Sequence, residues 1–396
     1  MEKEKKWMNI LLLGNGFDLA HGLPTRYTDF LEWVKAEYAL YVSSREQKSE
    51  IVAKIKEVKV EWAIVPHPSK ISVKRLCNEE MQLELWECIN HNFWLDYFLN
   101  TPIYQKENWI DFESEISKIV RSINDDINAS AIDAQITILS NDFLKNRLTS
   151  DWDNLFKQEN EKVFNIKYAE LRDILLSDLE KLIRALEIYL TEYIEKMETN
   201  LISLDILNVD VQKVLNFNYT DTYENIYGKN KNIEYDYIHG KADSNNTLSS
   251  NNMVLGIDEY LTDERKNRDT EFIAFKKFYQ RIHKRTGNNY KNWVEAIIRD
   301  NGNAIRTKRH AIEHLLYVFG HSLDMTDGDV LRELILCDNI YTKIYYLDDK
   351  VYGKQIENLV KVIGQDELIR RTGGKNRTIE FVHQKDMVKV KKDNNK

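Results

Sequence analysis

Four stretches of this 396-residue chain end a short apolar run in side chains that can hold an anion, a sugar hydroxyl or a proton. MNILLL (8–13) runs into Gly14-Asn15-Gly16-Phe17-Asp18. VQKVL runs into Asn216-Phe217-Asn218-Tyr219-Thr220-Asp221. IEYDYI ends in His239-Gly240. LLYVF ends in Gly320-His321-Ser322-Leu323-Asp324-Met325-Thr326-Asp327. Glycines directly after a strand let the backbone approach a phosphate, and the amides of a following helix start favour an anion. Asp18, His21, Gly22, Leu23, Pro24, Thr25 and Tyr27 then gather polar and turn-forming groups beside the loop, where a nucleotide's sugar would lie. The loop is not the fingerprint of an ordinary dehydrogenase. Leu19 stands where the third glycine falls, and no acidic residue follows a second strand roughly 20 residues on.

Such groups act together only if strands carry them to one edge. MNILLL reads as a buried parallel strand. After residue 205, VQKVLNFNY (211–219), IEYDYIHG (233–240), NMVLGID (252–258), LLYVFGHS (315–322), KIYYLDD (343–349) and TIEFVHQ (378–384) read as strands. Helical stretches lie between them at 262–283, 290–312, 328–337, 353–363 and 366–371. This alternation predicts a parallel α/β sheet whose carboxyl ends converge on one ligand crevice. From 36 to 205 the periodic segments are helical instead, at 81–99 and in the charged amphipathic stretch 165–198. The expected organisation is a first strand and glycine loop (1–35), an all-helical insertion (36–205), the rest of the α/β domain (206–390) and a basic tail (391–396).

Composition narrows the class. Apolar residues make up 42%, ample for a core, and the net charge is −8. The basic clusters are short, namely Lys3 to Lys6, Arg306-Thr307-Lys308-Arg309 and the tail from Lys389, so no nucleic-acid stripe is expected. Cys77, Cys88 and Cys337 are scattered and form no CxxC pair, which supports neither a disulfide framework nor a zinc ribbon. No metal site is expected. No apolar run reaches the roughly 18 residues of a membrane span, and none has the form of a signal segment, so a cytoplasmic protein is expected.

The segments ILLLGNGFDLAHGLPTRYTDFLEW, NFNYTDTYE, YIHGK and FGHSLDMTD resemble the bacteriophage abortive infection AbiH family, over residues 9 to about 350. That family is similar, more distantly, to SIR2-like NAD-binding proteins. Their blocks read as a GAG-type loop with a following GLP, a TNYD-type segment ending in Glu, an HG, and a late GxS. Asn218 falls on the Asn of the TNYD-type block and Glu224 on its Glu. His239 falls on the catalytic histidine, Gly320 and Ser322 on the late Gly and Ser. The resemblance implies a Rossmann-like (SIR2-like) fold and NAD as substrate or ligand. It implies an antiphage effector that hydrolyses NAD at the nicotinamide–ribose bond. Asn218 and His239 are its expected catalytic residues. Gly14, Asn15, Gly16, Phe17, Asp18, Pro24, Thr25, Asp221, Gly240, Gly320, Ser322 and Asp324 are expected to hold the nucleotide. Asn15 replaces the loop Ala, Thr220 replaces the Asp after Asn-Tyr, and the four-cysteine zinc site of deacetylases is missing, which argues against protein deacetylation.

In that chemistry positive charge develops on the ribose as neutral nicotinamide leaves. His239 is the general base, and Asn218, which does not titrate, orients water or ribose. Two other readings remain. The pocket could sense an NAD- or ADP-ribose-type nucleotide without turnover. Arg309-His310-Ala311-Ile312-Glu313-His314 fits the R-polar-x-x-x-H pattern of HEPN ribonucleases, which requires both ends on one helix. Trp109, Asp111, Glu113 and Glu115 form an acidic helical set, read as a solvated face before a metal or acid–base set. Self-association through the long 165–198 helix and a phage-derived trigger are expected partners.

Overall fold

The computed structural model describes residues 7–42, 79–101, 104, 110–129, 135–136, 140–144, 166–229 and 231–390. Lys3 to Lys6, Cys77, Trp109 and the tail 391–396 lie outside the described residues, as does much of 43–165. The chain forms two compact units. One comprises 1–25, 194–242 and 284–396; the other comprises 26–193 and 243–283.

The first unit is built on a six-stranded sheet. Its strands, numbered along the chain, are β1 Asn9–Leu13, β2 Lys213–Asn216, β3 Glu234–Tyr237, β4 His314–Phe319, β5 Ile340–Tyr346 and β6 Ile379–His383. Every neighbouring pair is parallel. The spatial order is 3-2-1-4-5-6, the order of doubly wound dinucleotide-binding sheets, which reverses between β1 and β4. Leu13 stands opposite both Asn216 and Phe319, and Asn216 opposite Tyr237. The four polar loops therefore leave one edge of the sheet at the same level.

Alternation explains why β1 reads as a solid apolar run. Ile10 and Leu12 pack on one face with Leu316, Val318, Trp293, Ile297 and Leu334. Leu11 and Leu13 pack on the other with Phe17, Val214, Tyr223 and Phe319. Both faces are covered, as a parallel sheet requires. The helices Tyr290–Thr307, Gly328–Ile335, Asp349–Ile363 and Gln365–Thr372 connect the later strands, within a few residues of the predicted spans.

Two expectations are corrected in the second unit. NMVLGID is not a sheet strand: its backbone makes one bridge, Ile257 to Lys276. Met253, Val254, Leu255 and Ile257 are buried, so the run packs as an extended segment. Side chains satisfy its amides: Met253 N–H donates to Asn251 Oδ1 and Leu255 N–H to Gln280 Oε1. The predicted helix 262–283 is broken into Arg265–Arg268, Ile273–Phe275 and Lys277–Lys284. The 81–99 stretch is likewise two helices, Glu79–Ile89 and Phe93–Asn100, because Asn92 Oδ1 caps the amides of Trp94 and Leu95. The 165–198 stretch is a helix over Tyr168–Tyr189 that widens into a π turn at Leu190–Ile194.

The acidic set of this unit is neither a solvated face nor a metal cluster. Asp111 Oδ1 accepts from the amides of Glu113 and Ser114 as a helix cap. Glu113 pairs with Lys277 at 2.8 Å, and Glu115 with Lys118 and the Tyr97 hydroxyl. Deeper in the same unit Arg184 spans Glu84 and Glu187. Glu187 also accepts from the Asp243 amide and from the side chains of Asn246 and Asn251. The polar loop 243–251 is thereby hooked onto the long helix.

Candidate functional site

The glycine loop and the β4 loop meet backbone to backbone. Gly14 N–H donates to Phe319 O at 3.1 Å and Gly16 N–H to Gly320 O at 2.8 Å. A Cβ on Gly14 would lie 2.6 Å from His321 Cα, and one on Gly16 2.8 Å from Gly320 Cα. These glycines are required first by this contact, and their amides are already engaged. Asn15 fastens the loop's other side: Thr25 Oγ1 donates to its Oδ1 at 2.6 Å, and its Nδ2 to Thr25 O at 3.3 Å.

The β2 end joins from beneath. Asn218 Nδ2 donates to Gly14 O at 3.1 Å, and its own amide donates to Asn216 Oδ1 at 3.0 Å. The Oδ1 of Asn218 is left as its available acceptor. Thr220 Oγ1 donates to Asp18 Oδ2 at 2.6 Å. Asp18 is 1% exposed and its Oδ1 has no partner. Phe17 is fully buried against Tyr223, Tyr227 and Phe319. The side chains of Phe17 and Asp18 lie inside the core beneath the loop, because the helix Asn15–Ala20 turns them inward.

Burial pushes the Asp18 carboxyl up to about 6, against hydrogen bonds from Thr220 and Thr222 and with Asp221 adding to the rise. A carboxyl whose folded pKa exceeds its ordinary 3.8 gives stability that is complete below that value and is lost as pH rises through about 6. The shift corresponds to about 3 kcal/mol at full ionisation. Asp18→Asn removes the titration. Its stability relative to wild type is expected to improve by up to about 3 kcal/mol between pH 4 and pH 7. Urea unfolding of both proteins across that window measures this, and a constant difference would show that Asp18 ionises normally.

His21 is structural. Its Nδ1–H donates to Phe17 O at 2.7 Å, and Nε2 accepts from the Tyr227 hydroxyl at 2.7 Å, which itself accepts the Ser203 amide. Burial holds its pKa below the usual range, partly opposed by the Phe17 bond.

His239 and Gly240 close β3. The left-handed Gly240 (φ 79°) donates its amide to Tyr237 O. His239 Nε2 lies 3.2 Å from Asp327 Oδ1, off the hydrogen-bond axis and ionic only when the ring is protonated. His321 Nε2 lies 3.5 Å from Asp327 Oδ2. Both rings stand edge-on to Phe217. Asp327 and His321 were legible only as members of a polar run; no role followed from their spacing. Asp324 caps the turn after it by accepting the Thr326 amide, and Ser322 is exposed. Pro24 is buried beside the loop.

Asp221 belongs to a second cluster. Lys241 Nζ lies 3.3 Å from Asp221 Oδ2 and 3.3 Å from Glu224 Oε2, over the Tyr237 ring. Burial works against the ammonium, but the two carboxylates outweigh it and hold its pKa above the ordinary range. Glu224 opens a π turn, Glu224–Gly228, a backbone form frequent at functional sites.

Arg309 and His314 do not share a helix. Tyr290–Thr307 ends at a left-handed Lys308, and His314 begins β4, buried and accepting the Met8 amide on Nδ1. This overturns the HEPN geometry. Among the described residues no group of three His, Cys, Asp or Glu could hold a metal ion, and no helix is long and apolar enough to cross a membrane. Cys88 and Cys337 are buried free thiols, with Cys88 pushed up to about 12 by burial and by Glu84.

No curated protein matches the chain. A family model described as bacteriophage abortive infection AbiH matches residues 10–346, a span that holds all four polar strand ends. The chain therefore belongs to the bacteriophage abortive infection AbiH family.

Proposed function

We propose that this protein is an abortive-infection effector that hydrolyses NAD at the nicotinamide–ribose bond, in a SIR2-like pocket at the carboxyl edge of the sheet. The observation that carries the reading is position. The glycine loop after β1 and the His321–Asp327 loop after β4 flank the point where the strand order reverses. Doubly wound sheets bind nucleotides at that point. His239, Asn218 and Asp327 gather at the same edge.

The reaction takes NAD and water to ADP-ribose, nicotinamide and a proton. The bond from C1′ to the pyridinium nitrogen breaks, and its electron pair leaves on nicotinamide. Water adds to C1′ and gives its proton to His239. Asn218 Oδ1 orients the water or a ribose hydroxyl. Self-association through the long helix and a phage-derived trigger belong to this reading.

NAD content is measured in cells carrying wild type, Asn218→Ala or His239→Ala, with and without phage, and then with purified protein. Wild type is expected to deplete NAD, and His239→Ala to lose ~10²–10⁴-fold in rate. Intact NAD alongside retained phage protection would end the hydrolase reading. A nucleotide sensor that binds at the same edge without turnover would then stand.

A further inference from the structure

The carboxylate of Asp327 is spread between two imidazoles from different strand ends, Oδ1 toward His239 at 3.2 Å and Oδ2 toward His321 at 3.5 Å. The three side chains are 8%, 4% and 12% exposed for His239, His321 and Asp327, so solvent screens them little. The two rings are not equivalent. Leu323 N–H donates to His321 Nδ1 at 2.9 Å. That nitrogen must carry a lone pair, so the neutral ring bears its one proton on Nε2, toward Asp327. A second proton on Nδ1 would expel the Leu323 amide.

The fold maintains this arrangement against strain. Leu323 sits at φ 57°, a left-handed conformation that a side-chain-bearing residue adopts only at a cost. Two buried amides from the helix Asp349–Ile363 hold the turn. Gln355 Nε2 donates to His321 O at 3.1 Å and Asn358 Nδ2 to Ser322 O at 2.9 Å. A strained turn clamped by a separate element, with a ring nitrogen as its acceptor, is a pre-organised device.

We propose that Asp327 and His321 form a relay behind His239, in which His321 stays a neutral donor to Asp327 and Asp327 steadies the charge His239 acquires on taking a proton. The base is then His239, and Asp327 and His321 are positioning residues. A carboxylate behind a catalytic imidazole does the same in acyl-transfer triads. The reaction step rests on the hydrolase reading: the proton leaving water as it adds to C1′ passes to His239, the imidazolium pairs with Asp327, and the proton then returns to solvent. The relay itself is a property of the free protein.

Nitrogen NMR of the full chain carrying ¹⁵N-histidine tests it, with signals assigned by His239→Asn and His321→Asn. At neutral pH His321 is expected to show a neutral ring protonated on Nε2. Asp327→Asn is expected to move the ring-nitrogen signals of both histidines, and His321→Asn those of His239. In NAD cleavage Asp327→Asn should lower kcat by ~10²–10⁴-fold with little change in KM, and Asp327→Glu should recover part of the loss. If Asp327→Asn moves neither histidine or only one, the relay is wrong whether or not NAD is cleaved. Should Asp327→Asn not fold, the effect of His321→Asn on His239 decides the same question. If the signals move together and wild type leaves NAD intact, the relay stands and the hydrolase reading falls.

Discussion

Gly320→Ala is expected to cost about 2–5 kcal/mol, a large share of a domain's stability. Gly320 holds φ 70°, and a Cβ there would lie 2.2 Å from Phe17 N and 2.5 Å from Gly16 C. The left-handed backbone contributes about 1–2 kcal/mol. Overpacking adds about 1–3 kcal/mol, and here the obstructing atoms are main chain that cannot rotate away. Native domains hold only about 5–15 kcal/mol in total. Gly302 is the control. It lies inside the helix Tyr290–Thr307, where a Cβ meets nothing within 4 Å. Gly302→Ala should stabilise by up to about 1 kcal/mol. Urea midpoints for both variants test the pair. A Gly320→Ala protein as stable as wild type would mean that the two loops are not in backbone contact.

Arg184→Ala is the second large effect, at about 3–5 kcal/mol. The Arg184 side chain is 2% exposed and its partner Glu187 0%. Removing the guanidinium strands Glu187 as a buried anion whose remaining donors are neutral amides. Breaking a buried pair from one side leaves that charge uncompensated, and this accounts for most of the cost. Glu187→Gln in the Arg184→Ala background should recover part of the loss, because the buried charge is gone and the amide oxygen at the Oε1 position still accepts from the Asp243 amide and Asn246. The cycle of single and double variants reads the coupling directly. Additive losses would show that the two side chains do not interact.

The parallel sheet was legible because β1 buries both faces and reads as an unbroken apolar run, while the later strands are short, β-branched or aromatic segments alternating with helices. The polar residues that follow them marked the site edge for the same reason: a strand end is where the core's demand for apolar side chains stops. NMVLGID misled because burial and extension look alike in sequence whether amides pair with a strand or with Asn251 and Gln280. That the side chains of Phe17 and Asp18 turn inward could not be read, because a glycine loop and the residues that support it share residue types. The link between His239 and Asp327 could not be read at all. It joins two strands some 90 residues apart through a side-chain geometry that no spacing encodes.

The place of β1 in the sheet has a consequence for how the protein is made. β1 leaves the ribosome before the other strands of its sheet, and its partners are about 200 and about 300 residues downstream. At synthesis rates of ~5–20 residues per second it waits ~10–40 s for β2 and ~15–60 s for β4. During that interval NILLL is an unpaired apolar strand and a target for chaperones. The glycine loop that follows it has no Gly320 to rest on, and His239 has no Asp327. No nascent or truncated chain short of residue 327 can bring His239 and Asp327 together, so the carboxyl edge of the sheet is assembled only after β4 and its loop have been made.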